Sequence, residues 1–241
     1  MIPKNLLPLS PWNFNTFSQC PAKFWYQKNW DIKPFPQKPN DRMFFGNVCH
    51  SIQSDYYNLL LKEKDFSPEK VSFLYQKAVN MNRNNIEDIQ KYNYHLSGFE
   101  KFEIKRLQWS EYKPISIESK IDKGSFRGKV DAIFKSNKGE TVVIDWKTGN
   151  VYGEYFDSYC LQGYIYKYVT NADKVMFFTP LRRQTITITD EQLNKGRDMI
   201  VNILQEIESC VNNRNKGEWC KDCEYNLVCK FSELGIKLDI I

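Results

Sequence analysis

A chain of 241 residues can bury one full α/β core and carry a modest extension. With 41% hydrophobic and 15% aromatic residues it is not a disordered chain, and no apolar run approaches the length of a membrane span. The 34 Lys and Arg against 29 Asp and Glu leave a net charge of +5, which suits an anionic partner without demanding one. The first ten residues hold one Lys and a short apolar stretch, too brief for a secretory signal, so the chain is expected in the cytoplasm. In that reducing compartment its seven cysteines serve as ligands or buried thiols in preference to disulfides.

Residues 33–41 carry three prolines and read as an irregular connection. Residues 44 to about 62 read as a helix, and 66 to about 109 as further helices, an insertion that reaches about residue 112 before the sheet begins. At Pro114 the period changes. Ile115, Ile117 and Ile121 alternate with Ser116, Glu118, Lys120 and Asp122, the pattern of a half-buried strand. A second strand over 126–134 leads through a turn at Ser136-Asn137-Lys138-Gly139 into a third over 140–147, which Thr148 and Gly149 stop, so the two form a hairpin. Asp157 or Ser158 can cap a helix whose apolar face is Leu161, Tyr164, Ile165 and Tyr168. Short strands follow over 174–179 and 185–189. Thr189 with Gln192 has the spacing of a capping box and opens a last long helix to about Asn212. The order is α/β: helix, three-stranded meander, helix, strand.

If the hairpin is centred on Lys138, Asp131 stands opposite Asp145 with Cβ atoms about 5 Å apart. Opposed carboxylates repel, and a divalent cation between them relieves the repulsion. Lys147, two residues past Asp145, projects from the same face. Hard oxygen ligands with room for water suit Mg2+ or Mn2+, ions that activate water and offset charge on a phosphate. The plainer reading makes Asp131 and Asp145 solvated strand residues and Lys147 a surface charge. Against it, Val142, Val143 and Ile144 form a run that looks buried on both faces, a poor place for an unpaired carboxylate. His50 serves either a structural role or as a ligand. Gln162 and Tyr166, four apart on one helical edge, read alone as residues at a polar boundary.

In chain order, Gly46-Asn47-Val48-Cys49-His50, Gly128-Lys129-Val130-Asp131, Asp145-Trp146-Lys147 and Gln162-x-x-x-Tyr166 resemble the successive motifs of RecB-like exonucleases of the PD-(D/E)XK superfamily. Val130 stands where the superfamily's name has proline, a position that varies. The resemblance implies a restriction-endonuclease-like core in a single domain over 1–241. It also implies that His50, Asp131, Asp145 and the Trp146 carbonyl hold the metal, with Asp131, Asp145 and Lys147 catalytic and Gln162 and Tyr166 positioning the substrate.

Cys220, Cys223 and Cys229 form C-x2-C-x5-C, a thiolate set that fits zinc or an iron-sulfur cluster and lacks a fourth ligand. Cys20 lies in Ser18-Gln19-Cys20-Pro21-Ala22-Lys23-Phe24-Trp25-Tyr26, which resembles the opening cysteine-proline-aromatic segment of the same nucleases. One cysteine before the fold and three after it resembles the [4Fe-4S] arrangement of AddB-type nucleases and small CRISPR-associated RecB-like exonucleases. It implies a staple that packs residues of about 214–241 with about 10–30. A four-cysteine zinc site has the same ligands. Cys49, Cys160 and Cys210 are left as buried thiols.

No G-x-x-x-x-G-K-[ST] phosphate loop occurs, so unwinding is left to a partner such as a helicase or CRISPR adaptation proteins. The resemblance implies hydrolysis of DNA, single-stranded or with free ends. Trp12, Phe24, Trp25 and Tyr26 are core or base-stacking aromatics. The competing function is a non-enzymatic DNA-binding or assembly module.

Overall fold

The computed structural model describes residues 4–28, 34, 41–63, 67–83, 89–108, 112–149, 151, 153, 156–180 and 184–233. Most of the proline-bearing connection at 33–41, and residues 234–241 of the expected C-terminal segment, lie outside them. Two short helices, α1 (Pro11–Gln19) and α2 (Pro21–Lys28), come first, α1 opened by Ser10, whose side chain and backbone exchange bonds with Asn13. Three longer helices follow: α3 (Asp41–Leu60), α4 (Pro68–Met81) and α5 (Ile89–Gln108). Then come β1 (Tyr112–Lys123), β2 (Phe126–Ser136), β3 (Thr141–Trp146), α6 (Phe156–Thr170), β4 (Lys174–Thr179), β5 (Gln184–Thr187), α7 (Asp190–Glu208) and α8 (Asn226–Glu233). The architecture is mixed α/β with one five-stranded sheet, consistent with a restriction-endonuclease-like fold.

The strands lie in chain order, β1-β2-β3-β4-β5, antiparallel except where α6 carries the chain from β3 to a parallel β4. The β2–β3 hairpin has the register expected of a turn centred on Lys138, with Ala132 opposite Ile144 and Phe134 opposite Val142. Helices α3, α4 and α5 cover one sheet face, on which Ala132, Phe134, Val142, Ile144 and Trp146 are buried. Val130, Val143, Val175 and Phe177 point the other way, toward α6 and α7, behind which α1 and α2 pack through Phe14, Phe17 and Phe24. The apolar run at 142–144 is therefore buried on both faces.

Several expectations need correction. Asp157 and Ser158 lie inside α6, which opens at Phe156, so neither caps it. Ile115 is 53% exposed, because the β1–β2 pairing shifts between Pro114 and Ser116 and the bulge turns Ile115 outward. Tyr168 is 43% exposed, since α6 buries residues toward both the sheet and α7, and a single apolar stripe does not describe it. The capping box at Thr189 and Gln192 is present in both arms, at 3.3 and 2.9 Å. The last long helix ends at Glu208, ahead of Cys210 in the left-handed region, so Asn212 lies beyond it. None of the described helices is long and apolar enough to cross a membrane.

Candidate active site

Asp131 and Asp145 flank the open end of the hairpin, just beyond the paired residues Ala132 and Ile144. The Trp146 amide donates to Asp131 Oδ2 at 2.7 Å, so the backbone of β3 fixes the carboxylate of β2. Trp146, expected to enter through its carbonyl, thus also contributes its N–H. Its indole packs in the opposite layer, stacked on Tyr57 at 5.2 Å and 11°. Asp131 Oδ1 faces α3, where His50 Nδ1 lies 3.4 Å away.

Asp145, 3% exposed, has a separate set of partners. Its Oδ1 accepts from Gln162 Nε2 at 3.0 Å and has the Tyr166 hydroxyl at 2.9 Å; that hydroxyl has the Lys129 carbonyl as a second acceptor at 2.9 Å. Lys147 Nζ lies 2.7 Å from Asp145 Oδ2 and donates to Gln162 Oε1 at 3.0 Å. The four-residue step from Gln162 to Tyr166 places both side chains on the same turn-facing edge of α6, above the carboxylate.

The structure thus brings the sequence-selected residues together in two groups joined through Trp146: His50 with Asp131, and Asp145 with Lys147, Gln162 and Tyr166. A residue not singled out as a site residue completes the first. Ligand atoms of His50, Glu118 and Asp131 all lie within 4.8 Å of one another. Glu118 belongs to β1, where alternation read it as a solvated residue. Its φ of 52° lies in the left-handed region, so the local bend aims the carboxylate into the cleft. Nothing in the sequence announces that bend. Glu118 also pairs with Lys129, and the cleft beside them holds about 490 Å3.

The electrostatics follow from this crowding. Burial holds the Asp145 carboxyl above the usual range, with repulsion from Asp131 adding and Lys147 opposing. Burial works against the charged forms of His50 and Lys147, but attraction outweighs it in both. Asp131 is the main attraction for the imidazole and Asp145 for the ammonium, so both net shifts are upward. Two carboxylates and an imidazole, with water-accessible space beside them, form a hard donor set that fits a divalent cation.

A family model described as the PD-(D/E)XK nuclease superfamily matches residues 8–230. The chain belongs to the PD-(D/E)XK nuclease superfamily. A comparison with curated proteins returns no match. Among solved structures, this PD-(D/E)XK nuclease is similar to the crystal structure of SSO0001, at 14% identity and a TM-score of 0.34, over 74% of this chain and 94% of that one.

The cysteines of this superfamily member lie apart from the hairpin. Cys20 follows α1, Cys220 falls in a short 3-10 helix over Glu218–Asp222 that ends at Cys223, and Cys229 lies in α8. All four are half-buried and none is in a disulfide. Burial pushes the Cys223 thiol up, with Cys20 among the groups that add to the effect. Among the described residues no three of these sulfurs come within 4.8 Å of one another. Of the leftover thiols, Cys49 and Cys160 are buried and Cys210 is exposed, against expectation, because α7 ends before it.

Proposed function

We propose that this PD-(D/E)XK nuclease is a RecB-like deoxyribonuclease working as an exonuclease on single-stranded DNA or free DNA ends. Its setting is cytoplasmic recombination, repair or CRISPR adaptation, beside a helicase or adaptation proteins. The observation that carries the reading is the pairing of Lys147 Nζ with Asp145 at 2.7 Å, next to Asp131, His50 and Glu118. An ammonium anchored beside a hard donor set is the combination that hydrolysis of a phosphodiester requires.

Mg2+ or Mn2+ supplies, when bound, an activated water and charge to offset the phosphate. His50, Glu118 and Asp131 would hold it, and Asp145, which lies outside that cluster against Gln162, Tyr166 and Lys147, would complete the set in this reading. The Trp146 N–H orients Asp131. Gln162 and Tyr166 fix the rotation of Asp145, while Lys147 holds its proton at Nζ to meet the developing charge on a phosphoryl oxygen. Asp131, Asp145 and Lys147 are the catalytic group in this reading.

The same reading gives Cys20, Cys220, Cys223 and Cys229 to one [4Fe-4S] cluster with a structural role. Contacts between their host segments support it: Ala22 N–H to the Asn213 carbonyl at 3.2 Å, Trp25 Nε1 to the Val211 carbonyl at 2.7 Å, and Lys23 with Glu224 at 3.0 Å.

Incubation with end-labelled linear and with circular single-stranded DNA, in Mg2+ and in Mn2+, tests the function. The linear strand is expected to shorten from an end while the circle survives. Equal cutting of the circle would make the enzyme an endonuclease, and cleavage of neither would leave a DNA-binding module.

A further inference from the structure

A lysine ammonium is a mobile group to build a site on: its charge sits at the end of a four-carbon stem with roughly 2 kcal/mol of rotamer entropy. In this chain two rings restrict it. Tyr159, Gln162 and Tyr166 fall at i, i+3 and i+7 on α6, so Tyr159 extends the Gln162–Tyr166 edge by one turn toward Lys147. Phe177 is the partner of Asp145 in the parallel β3–β4 ladder and shares its sheet face. Lys147 is tied to β4 through its own N–H, which donates to the Phe178 carbonyl at 2.8 Å. Its Nζ then lies over both rings, 5.3 Å from the centroid of Tyr159 and 5.3 Å from that of Phe177, and the rings stand 5.2 Å apart.

The bracket solves a problem of donor supply. An ammonium has three protons. Gln162 accepts one of them and Asp145 faces the ammonium as an ion pair at 2.7 Å, so a further polar partner would use the proton needed for a phosphoryl oxygen. Aromatic faces attract the charge without taking a proton into a lone pair. We propose that Tyr159 and Phe177 are positioning residues that hold the Lys147 ammonium against Asp145 and Gln162 while leaving its third N–H for the substrate phosphate. The proposal rests on the nuclease reading of Lys147 given above.

Phe177 is fully buried, so its replacement would disturb the sheet, and half-buried Tyr159 is the better probe. Two readouts on the whole chain separate the proposal from the reading beneath it. The first is the NMR shift of the Lys147 Cε protons in metal-free, DNA-free protein, assigned with Lys147→Met. The rings are expected to shield these protons, Tyr159→Leu to remove roughly half of the shielding, and Tyr159→Phe to restore it. The second is steady-state cleavage of a single-stranded oligonucleotide. Tyr159→Leu is expected to lower kcat roughly tenfold with KM little changed. Tyr159→Phe, which puts the ring back, is expected to rescue the rate.

Unshielded Cε protons in the wild-type chain would overturn the bracket even if Tyr159→Leu failed to fold. Shielding lost in Tyr159→Leu with kcat unchanged would overturn the positioning role. A Tyr159→Phe variant as slow as Tyr159→Leu would transfer the effect to the hydroxyl and overturn it too. If Lys147→Met cleaves like wild type while the shielding is present, it is the nuclease reading of Lys147 that fails.

Discussion

Asp145 and Glu118 show what spacing can and cannot reveal about single residues. Asp131, Asp145 and Lys147 were legible because a strand's period of two and a turn centred on Lys138 determine who stands opposite whom, and the hairpin register follows that centre. Gln162 and Tyr166 were legible as a four-residue step on a helix. Glu118 was not, since a left-handed residue inside a strand breaks the alternation that such reasoning depends on. Tyr159 and Phe177 were equally hidden, because their approach to Lys147 depends on the β3–β4 register, which the sequence does not carry. If Glu118 supplies a ligand atom, Glu118→Gln removes a charge from the donor set without changing its size. The Mn2+ concentration for half-maximal cleavage should rise roughly 10- to 100-fold, with saturated activity less affected. A metal titration of cleavage checks this, and an unchanged midpoint would remove Glu118 from the site.

At the scale of elements, the capping box at Thr189 and Gln192, the hairpin and the helical character of α3–α5 were readable from local chemistry, whereas the start of α6 and the packing of the α3–α5 layer were not. Residues 66–109 read only as further helices, for their packing is set by buried polar partners remote in sequence. Glu103, fully buried on α5, bonds Arg106 at 2.8 and 2.9 Å and takes the hydroxyls of Tyr56 and Tyr57 from α3. Tyr57 in turn stacks on Trp146, so this network backs the strand that carries Asp145.

His95, also fully buried, has Gln53 Nε2 at 3.4 Å and, among the described residues, no hydrogen-bond partner at Nδ1. Burial, with the nearby charge of His50, lowers its pKa from 6.5 to about 4. The unfolded chain therefore binds this proton first. Stability from His95 is complete above pH 6.5 and declines as pH falls from there to about 4, by roughly 3 kcal/mol in all. Thermal melts from pH 7 to 4 should show a shallower decline for His95→Gln than for wild type. Parallel curves would mean that His95 titrates normally in the fold.

For the whole molecule, α2 meets the segment that follows α7. Beyond the bonds of the Ala22 amide and the Trp25 indole, Gln27 bonds Glu224 at 3.2 Å and Tyr26 packs on Tyr225 at 5.5 Å. A metal link between Cys20 and the later cysteines would close a loop of about 200 residues, a constraint worth several kcal/mol in the loop-closure picture. Cys20→Ser should therefore lower the melting temperature and the iron and acid-labile sulfide content of anaerobically purified protein. Cys210→Ser, at an exposed position after α7, should change neither. Colourless protein with one zinc would replace the cluster by a zinc site, and a Cys20→Ser variant unchanged in metal and stability would leave packing alone to join the ends.

If the Asp131–Asp145–Lys147 group hydrolyses DNA with a divalent cation, Asp145→Ala tests that most directly. Asp145 accepts from Gln162 and Tyr166 and forms an ion pair with Lys147, so its loss removes a shared partner of all three. Mg2+-dependent cleavage of single-stranded DNA by purified wild type and Asp145→Ala, with folding confirmed by circular dichroism, is the measurement. The variant is expected to fold and to lose activity by a factor of roughly 100 to 1,000 or more, whereas a folded Asp145→Ala protein that cleaves at the wild-type rate would contradict the account.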